Sequence, residues 1–231
     1  GVAAGLIPRM SVVAEGLLSL HLPQFEGREL IADIGYTFGF LLVILGGLQL
    51  FTENTITPVL PLLANPSRRT LFRTGRLWVT VFSANMVGTF LGAALLSWGD
   101  IVSDPQMTAI VDVSMKVTEH TALETMRYGV IAGCLIAAVV WCIPKARGAE
   151  FFLVFFVTYV IALGDFTHVI AGAGEGFILL LHGEVGLAWL IAGLIAPAFV
   201  GNFLAGTMLF ATLAYVQVME EISQDNRRDR R

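Results

Sequence analysis

Charge is scarce in this sequence. Asp, Glu, Lys and Arg make up 14% of its 231 residues, against about 25% in a soluble domain. With 56% hydrophobic residues and a mean hydropathy of +0.77, that deficit excludes a water-soluble globule and predicts an integral membrane protein. Cysteine is rare too. Cys134 and Cys142 are the only two, eight residues apart in one apolar stretch. On a helix that separation does not suit a disulfide, so both read as small core residues. No basic patch offers a surface to a nucleic acid. There is no Gly-rich phosphate loop, nucleophile elbow, cofactor box or metal-ligand spacing among His, Cys and acids. An enzyme is therefore not expected, nor a cofactor or metal. No cleavable signal peptide is recognisable, and the abrupt opening Gly1-Val2-Ala3-Ala4-Gly5 predicts a natural segment ahead of it.

What the chain has instead is long apolar runs, which point to helices rather than barrel strands. Six crossings are predicted, near 1–21, 31–64, 77–98, 121–143, 150–182 and 185–219. The second and fifth exceed the roughly 20 residues that one straight crossing takes. Each also carries an interruption: Leu50-Phe51-Thr52-Glu53-Asn54 in one, Asp165-Phe166-Thr167-His168 in the other. Each is therefore expected to be two half-helices joined by a loop, helped by Pro58 and Pro61 after the first break and Ala171-Gly172-Ala173-Gly174 after the second. A matched pair of broken segments points to a site at the bilayer midplane.

Arg and Lys placement orients the chain. Arg68, Arg69, Arg73 and Arg76 follow the second crossing, Lys145 and Arg147 follow the fourth, and Arg227, Arg228, Arg230 and Arg231 form the tail. Six crossings put these on one side, predicted to be the cytoplasm. The opposite loops are short or acidic, as in Gly99-Asp100 to Asp104 and His182-Gly183-Glu184. The segment Arg68 to Thr74 is expected along the membrane surface. The domain reading is one transmembrane channel domain at 1–219, in halves of about 1–98 and 118–219, followed by a basic cytoplasmic tail at 220–231.

The halves resemble each other weakly. Gly47 to Thr52 matches Leu163 to Thr167 around the shared Phe-Thr. Asn85 in the third crossing and Asn202 in the sixth each sit among small residues, and an Asn there can bond a freed backbone group nearby. Three helices per half put the halves in opposite membrane orientation, the inverted-repeat plan of many transporters and channels.

Leu50-Phe51-Thr52, Phe166-Thr167-His168, Gly201-Asn202 and Trp141 at the end of the fourth crossing resemble the formate/nitrite transporter family over essentially the whole chain. The resemblance implies an aquaporin-like six-helix protomer, a homopentamer with one pore per protomer, and passage of small monovalent anions or their conjugate acids. It implies the bacterial inner (plasma) membrane as the location. By register it puts Tyr36, Phe40 and Ile161 at pore constrictions. The chain also departs from the family's pattern. Thr167 stands where Glu commonly precedes the central His, with Asp165 the nearby acid instead. Gly172 and Ala173 fill the stretch where the family often has Asn, and Gly133 replaces another family Asn. Lys116 is one residue out of register with the family lysine, in a stretch that also contains Glu119 and His120. This resembles a side-branch, in which the fold transfers better than the substrate.

A bare anion in an apolar pore loses hydration at a cost of several kcal/mol or more. Half-helix N-termini, the hydroxyls of Thr52 and Thr167, and His168 could offset that. The expected path is His168, Thr52, Leu50, Phe51, Thr167, Phe166, Tyr36, Phe40, Ile161, Glu53 and Glu175, with Asn85 and Asn202 as structural support. Tyr36, Phe40, Leu50 and Ile161 are the expected gates, and His168 makes flux pH-dependent. Glu53 and Glu175 read either as caps on half-helix ends or as pore-lining groups. Arg127 is expected to pair with Glu124, Arg9 to snorkel or face another subunit, and His21, His120 and His182 to be exposed. The rival readings are a channel for a neutral solute or weak base, motivated by Glu53, Asp165 and Glu175, and a non-conducting membrane partner subunit.

Overall fold

The computed structural model describes residues 1–64, 66–212 and 215–217, and every regular element among them is helical. In chain order these are α1 (Val2–His21), α2 (Arg28–Ala32), α3 (Thr37–Leu45), α4 (Val59–Ala64), α5 (Arg68–Trp98), α6 (Asp104–Ser114), α7 (Ala122–Cys142), α8 (Glu150–Leu163), α9 (Val169–His182) and α10 (Leu187–Met208). Four of them, α1, α5, α7 and α10, are long and apolar enough to cross a membrane, and α8 and α9 are shorter apolar pieces. The stretch expected to cross at 31–64 is divided among α2, α3 and α4, and that at 150–182 between α8 and α9. The basic tail lies outside the described residues.

Local caps explain two departures from the expected layout. Ser67 accepts from the Thr70 N–H at 3.1 Å and starts α5 at Arg68, so Arg68 to Thr74 forms the opening turns of a 31-residue helix, not a separate surface segment. Such a helix rises about 46 Å, beyond the roughly 30 Å hydrocarbon core. Between the third and fourth expected crossings, a capping box of Ser103 and Gln106 starts α6, whose Ile110 and Val113 pack with Val12, Ala93, Leu96 and Ile178. That packing pulls the connection inward and carries Lys116 with it. Glu124 is likewise used in a box with Thr121, at 2.9 Å to its N–H and 2.7 Å to its hydroxyl. It forms no ion pair with Arg127, correcting the pairing expected from their helical spacing.

The two interruptions are built alike. α3 ends at Gly46 and α8 at Gly164, each followed by a left-handed residue, Gly47 (φ 63) and Asp165 (φ 50). The next N–H closes five residues back in both cases, Leu48 to the Val43 carbonyl and Phe166 to the Ile161 carbonyl, each at 3.0 Å. One asparagine then spans each break. The Phe51 N–H donates to Asn85 Oδ1 at 2.8 Å, and Asn85 Nδ2 donates to the carbonyls of Gln49 (3.0 Å) and Gly1 (2.8 Å). The Val169 N–H donates to Asn202 Oδ1 at 2.9 Å, and Asn202 Nδ2 donates to the carbonyls of Thr167 (2.9 Å) and Gly129 (2.8 Å). By this bonding Leu50 stands where His168 does. The two Phe-Thr pairs are therefore not equivalent positions, as the sequence match implied; the caps and the asparagines set the correspondence.

Small residues bring the surrounding helices into contact. A β-carbon at Gly88 would strike the Val2 carbonyl, and one at Gly201 the Met126 carbonyl. Thus α1 lies directly on α5 and α7 on α10, which places Gly1 and Gly129 within reach of the two asparagines. Phe40, Leu50, Ile136, Ile161 and Ile170 form the core between these pairs.

Candidate functional site

The two breaks meet through one hydrogen bond. Thr52 Oγ1 and His168 Nε2 are 2.7 Å apart across 116 residues of sequence, and both residues are buried. His168 is also the N-cap of α9, its Nδ1 accepting from the Ala171 N–H at 3.2 Å. A backbone N–H aimed at Nδ1 requires a lone pair there. The proton of a neutral ring is then on Nε2 and is donated to Thr52, which leaves the threonine hydroxyl hydrogen free to turn toward a solute. Phe40 sets its ring edge-on to His168 at 4.9 Å and 84°, and Tyr36 sits 5.2 Å beyond Phe40.

On one side of His168 lies a cavity of about 70 Å³, large enough for a solute of a few heavy atoms. Of the expected path residues, Tyr36, Ile161, Phe166, Thr167, His168 and Glu175 line it. Phe40 and Leu50 are fully buried, and neither they nor Thr52 are among the residues that line it. Phe51 packs between Phe82 (5.1 Å) and Phe199 (5.2 Å), in an aromatic cluster rather than along the cavity. Glu53 opens a short 3₁₀ turn, and its carboxylate caps nothing among the described residues: Oε1 is buried without a partner.

Three residues sit where sequence reasoning did not put them. Lys116 lines the cavity and bonds Glu15 at 3.1 Å and Asp33 at 3.3 Å. Burial pulls its ammonium down, but the two carboxylates push harder and hold it above the usual lysine range. Through Val113 and Lys116 the cavity adjoins a wider recess of about 770 Å³. His120, expected to be exposed, lines the cavity too and rests edge-on to Tyr128 at 4.8 Å. Arg9 neither snorkels nor faces outward. It is 1% exposed, and its Nη2 donates to the carbonyls of Ile170 (3.0 Å) and Ala171 (3.1 Å) in the first turn of α9. The signal in the sequence was the glycine partner: Gly174 leaves open the volume that the guanidinium fills. Glu15 and Asp33 carried no motif, because their relation to Lys116 is purely tertiary.

Residues 1–216 match the family model described as formate/nitrite transporter. The chain is 34% identical over its whole length to the inner membrane protein YfdC of Escherichia coli K12, spanning 74% of that protein. It is 27% identical to the formate-nitrite transporter of Plasmodium malariae, with 91% of this chain and 71% of that protein aligned. Among solved structures, a pentameric formate channel with formate bound superposes with a TM-score of 0.77 at 18% identity, over 94% of each chain. An FNT family ion channel superposes at 0.79 and 21% identity, over 94% of this chain and 87% of that one. With an all-helical fold shared with those channels and a family model that spans nearly the whole chain, this protein belongs to the formate/nitrite transporter family of membrane transporters and channels.

Proposed function

We propose that this protein conducts a small monovalent weak acid, formate- or nitrite-like, as the anion and its conjugate acid. The path runs through each protomer, from the cavity past His168 and Thr52. The observation that carries the reading is the Thr52–His168 bond, with His168 on the wall of a small cavity and Phe40 and Leu50 buried outside it, where we place the seal. An anion cannot cross that apolar seal without a cost of several kcal/mol; its neutral acid can. The Thr52 hydroxyl gives the solute one hydrogen-bond donor at the narrowest point, and flux rises as pH falls.

In this reading the protomer is two inverted three-helix repeats. α3 with α4 and α8 with α9 are the halves of two broken crossings, held by the equivalent bonds of Asn85 and Asn202. Five copies assemble in the inner membrane with the C-terminus in the cytoplasm, as the likeness to a pentameric formate channel and the Arg placement support. The deciding experiment is stopped-flow uptake by proteoliposomes under formate, nitrite and ammonium gradients between pH 5 and 8. Formate or nitrite flux that climbs at acid pH supports the proposal. Silence for both anions while ammonium passes replaces it with the second reading, a weak-base channel. That reading is favoured by the acids Glu15, Asp33, Asp165 and Glu175 around the cavity against the single ammonium of Lys116.

A further inference from the structure

A weak acid that crosses as a neutral molecule must gain a proton before the seal, and His168 is badly placed to give it. Nδ1 accepts from the Ala171 N–H, and the Nε2 hydrogen is committed to Thr52. The donor has to be another group on the same cavity.

The cavity offers five candidates besides His168. Glu15 and Asp33 are bound by Lys116 at 3.1 and 3.3 Å. Asp165 is exposed at the left-handed end of α8, away from the buried part of the cavity wall. His120 is packed on Tyr128. Glu175 differs from all of these. It lies seven residues after His168 on α9, two turns along the same face, and lines the cavity. Among the described residues it has no hydrogen bond and no ion pair. The charges that bear on it are Arg9 from α1, Lys116, and Asp165, and Tyr36 and Glu15 are close enough to feel it in turn. Arg9 is the strongest of these influences on Glu175. Its guanidinium is seated over Gly174, the neighbouring position, with Nε and Nη1 buried and unpartnered.

We propose that Glu175 is the proton donor that neutralises the entering anion on the cavity side of His168. This rests on the weak-acid reading above. The carboxyl O–H bond breaks and the proton passes to an oxygen of the anion, giving the neutral acid and a Glu175 carboxylate. The fixed positive charge of Arg9 stabilises that carboxylate through a buried, low-dielectric environment until a proton from cavity water restores it. The neutral acid moves on past His168 and Thr52.

The test is formate uptake into proteoliposomes with a pH-sensitive dye inside, for wild type, Glu175→Gln and Glu175→Ala. Expected for both variants, once shown pentameric by size exclusion, are a formate flux lower by roughly tenfold or more and a flattened dependence on external pH. A merely structural role would lower flux without changing the profile. Variants within twofold of wild type with an unchanged profile overturn the assignment while leaving weak-acid conduction standing. Wild type that passes neither formate nor nitrite overturns that conduction and this assignment with it. If neither variant assembles, a hydrophobic carbodiimide on wild-type protein decides: it must modify Glu175, located by peptide mass, and block formate flux, and flux that survives complete modification overturns the proposal.

Discussion

The guanidinium of Arg9 occupies the space that a side chain at Gly174 would need. Two residues 165 positions apart in the sequence thus specify each other: a long cation brought across from α1, and an absent β-carbon on α9. Gly174→Ala is expected to expel Arg9 and break its bonds to the Ile170 and Ala171 carbonyls. Freeing a buried charge of its partners costs about 3–5 kcal/mol. A clear fall in detergent melting temperature or loss of the pentamer is the expected result. Gly172→Ala is the control, since its β-carbon would meet only Leu194 Cδ1 at 3.7 Å and Thr167 Cγ2 at 3.9 Å, ordinary contacts. Equal melting temperatures for the two variants would refute the Arg9–Gly174 relationship.

Thr52→Val keeps the shape of the side chain and removes the acceptor of His168 Nε2. An unsatisfied buried donor costs about 1–3 kcal/mol, so stability falls modestly and formate uptake falls with it. Thr52→Ser should retain both. Wild-type uptake by the Val variant would take Thr52 out of the path.

His168→Phe removes the cap on the Ala171 N–H together with the Thr52 contact. Loss of an N-cap costs about 1 kcal/mol, small enough for the fold to survive. Stopped-flow uptake of formate between pH 5 and 8 should fall about tenfold or more, a loss of about 1.4 kcal/mol or more in the barrier. Unchanged flux would remove His168 from the mechanism.

Asn85→Ala and Asn202→Ala each leave one buried backbone N–H without its partner, together with two carbonyls; three of those four carbonyl bonds are only partly buried. At about 1–3 kcal/mol per unsatisfied group, both variants should lose melting temperature by similar amounts. A large loss for one and none for the other would break the equivalence of the two interruptions.

Lys116→Met leaves Glu15 and Asp33 without their shared cation. The lysine is held above its ordinary range, so what it adds to stability is complete below the unfolded value near pH 10.4 and is lost only as pH rises through the still higher folded value. The melting temperature should therefore drop at both pH 7 and pH 9, since the lysine stays charged throughout that range. No drop at either pH would show the ion pairs to be without consequence.

Two members of the candidate site were singled out by the sequence alone. His168 and Thr52 stood out because a polar group inside an apolar run is costly enough to need a reason. Asn85 and Asn202 stood out because each sits among small residues, where an Asn can bond a freed backbone group nearby. Other features left no local trace. The ion pairs of Lys116 join residues from α1, the turn after α2 and the turn after α6, and no spacing encodes that. Phe51 shares the break's motif yet packs among aromatics, because its direction is set by the Asn85 bond to its N–H.

Composition and the long apolar runs alone determined that this is a helical membrane protein, since a lipid interior tolerates few charges and no unpaired backbone. Tertiary structure alone decided which residues stand opposite one another at the two breaks. The same Phe-Thr letters align the halves one way, while the left-handed caps and the asparagine bonds align them another and set Leu50 against His168. Hydrogen-bond geometry is a property of the folded backbone, and side-chain identity does not record it.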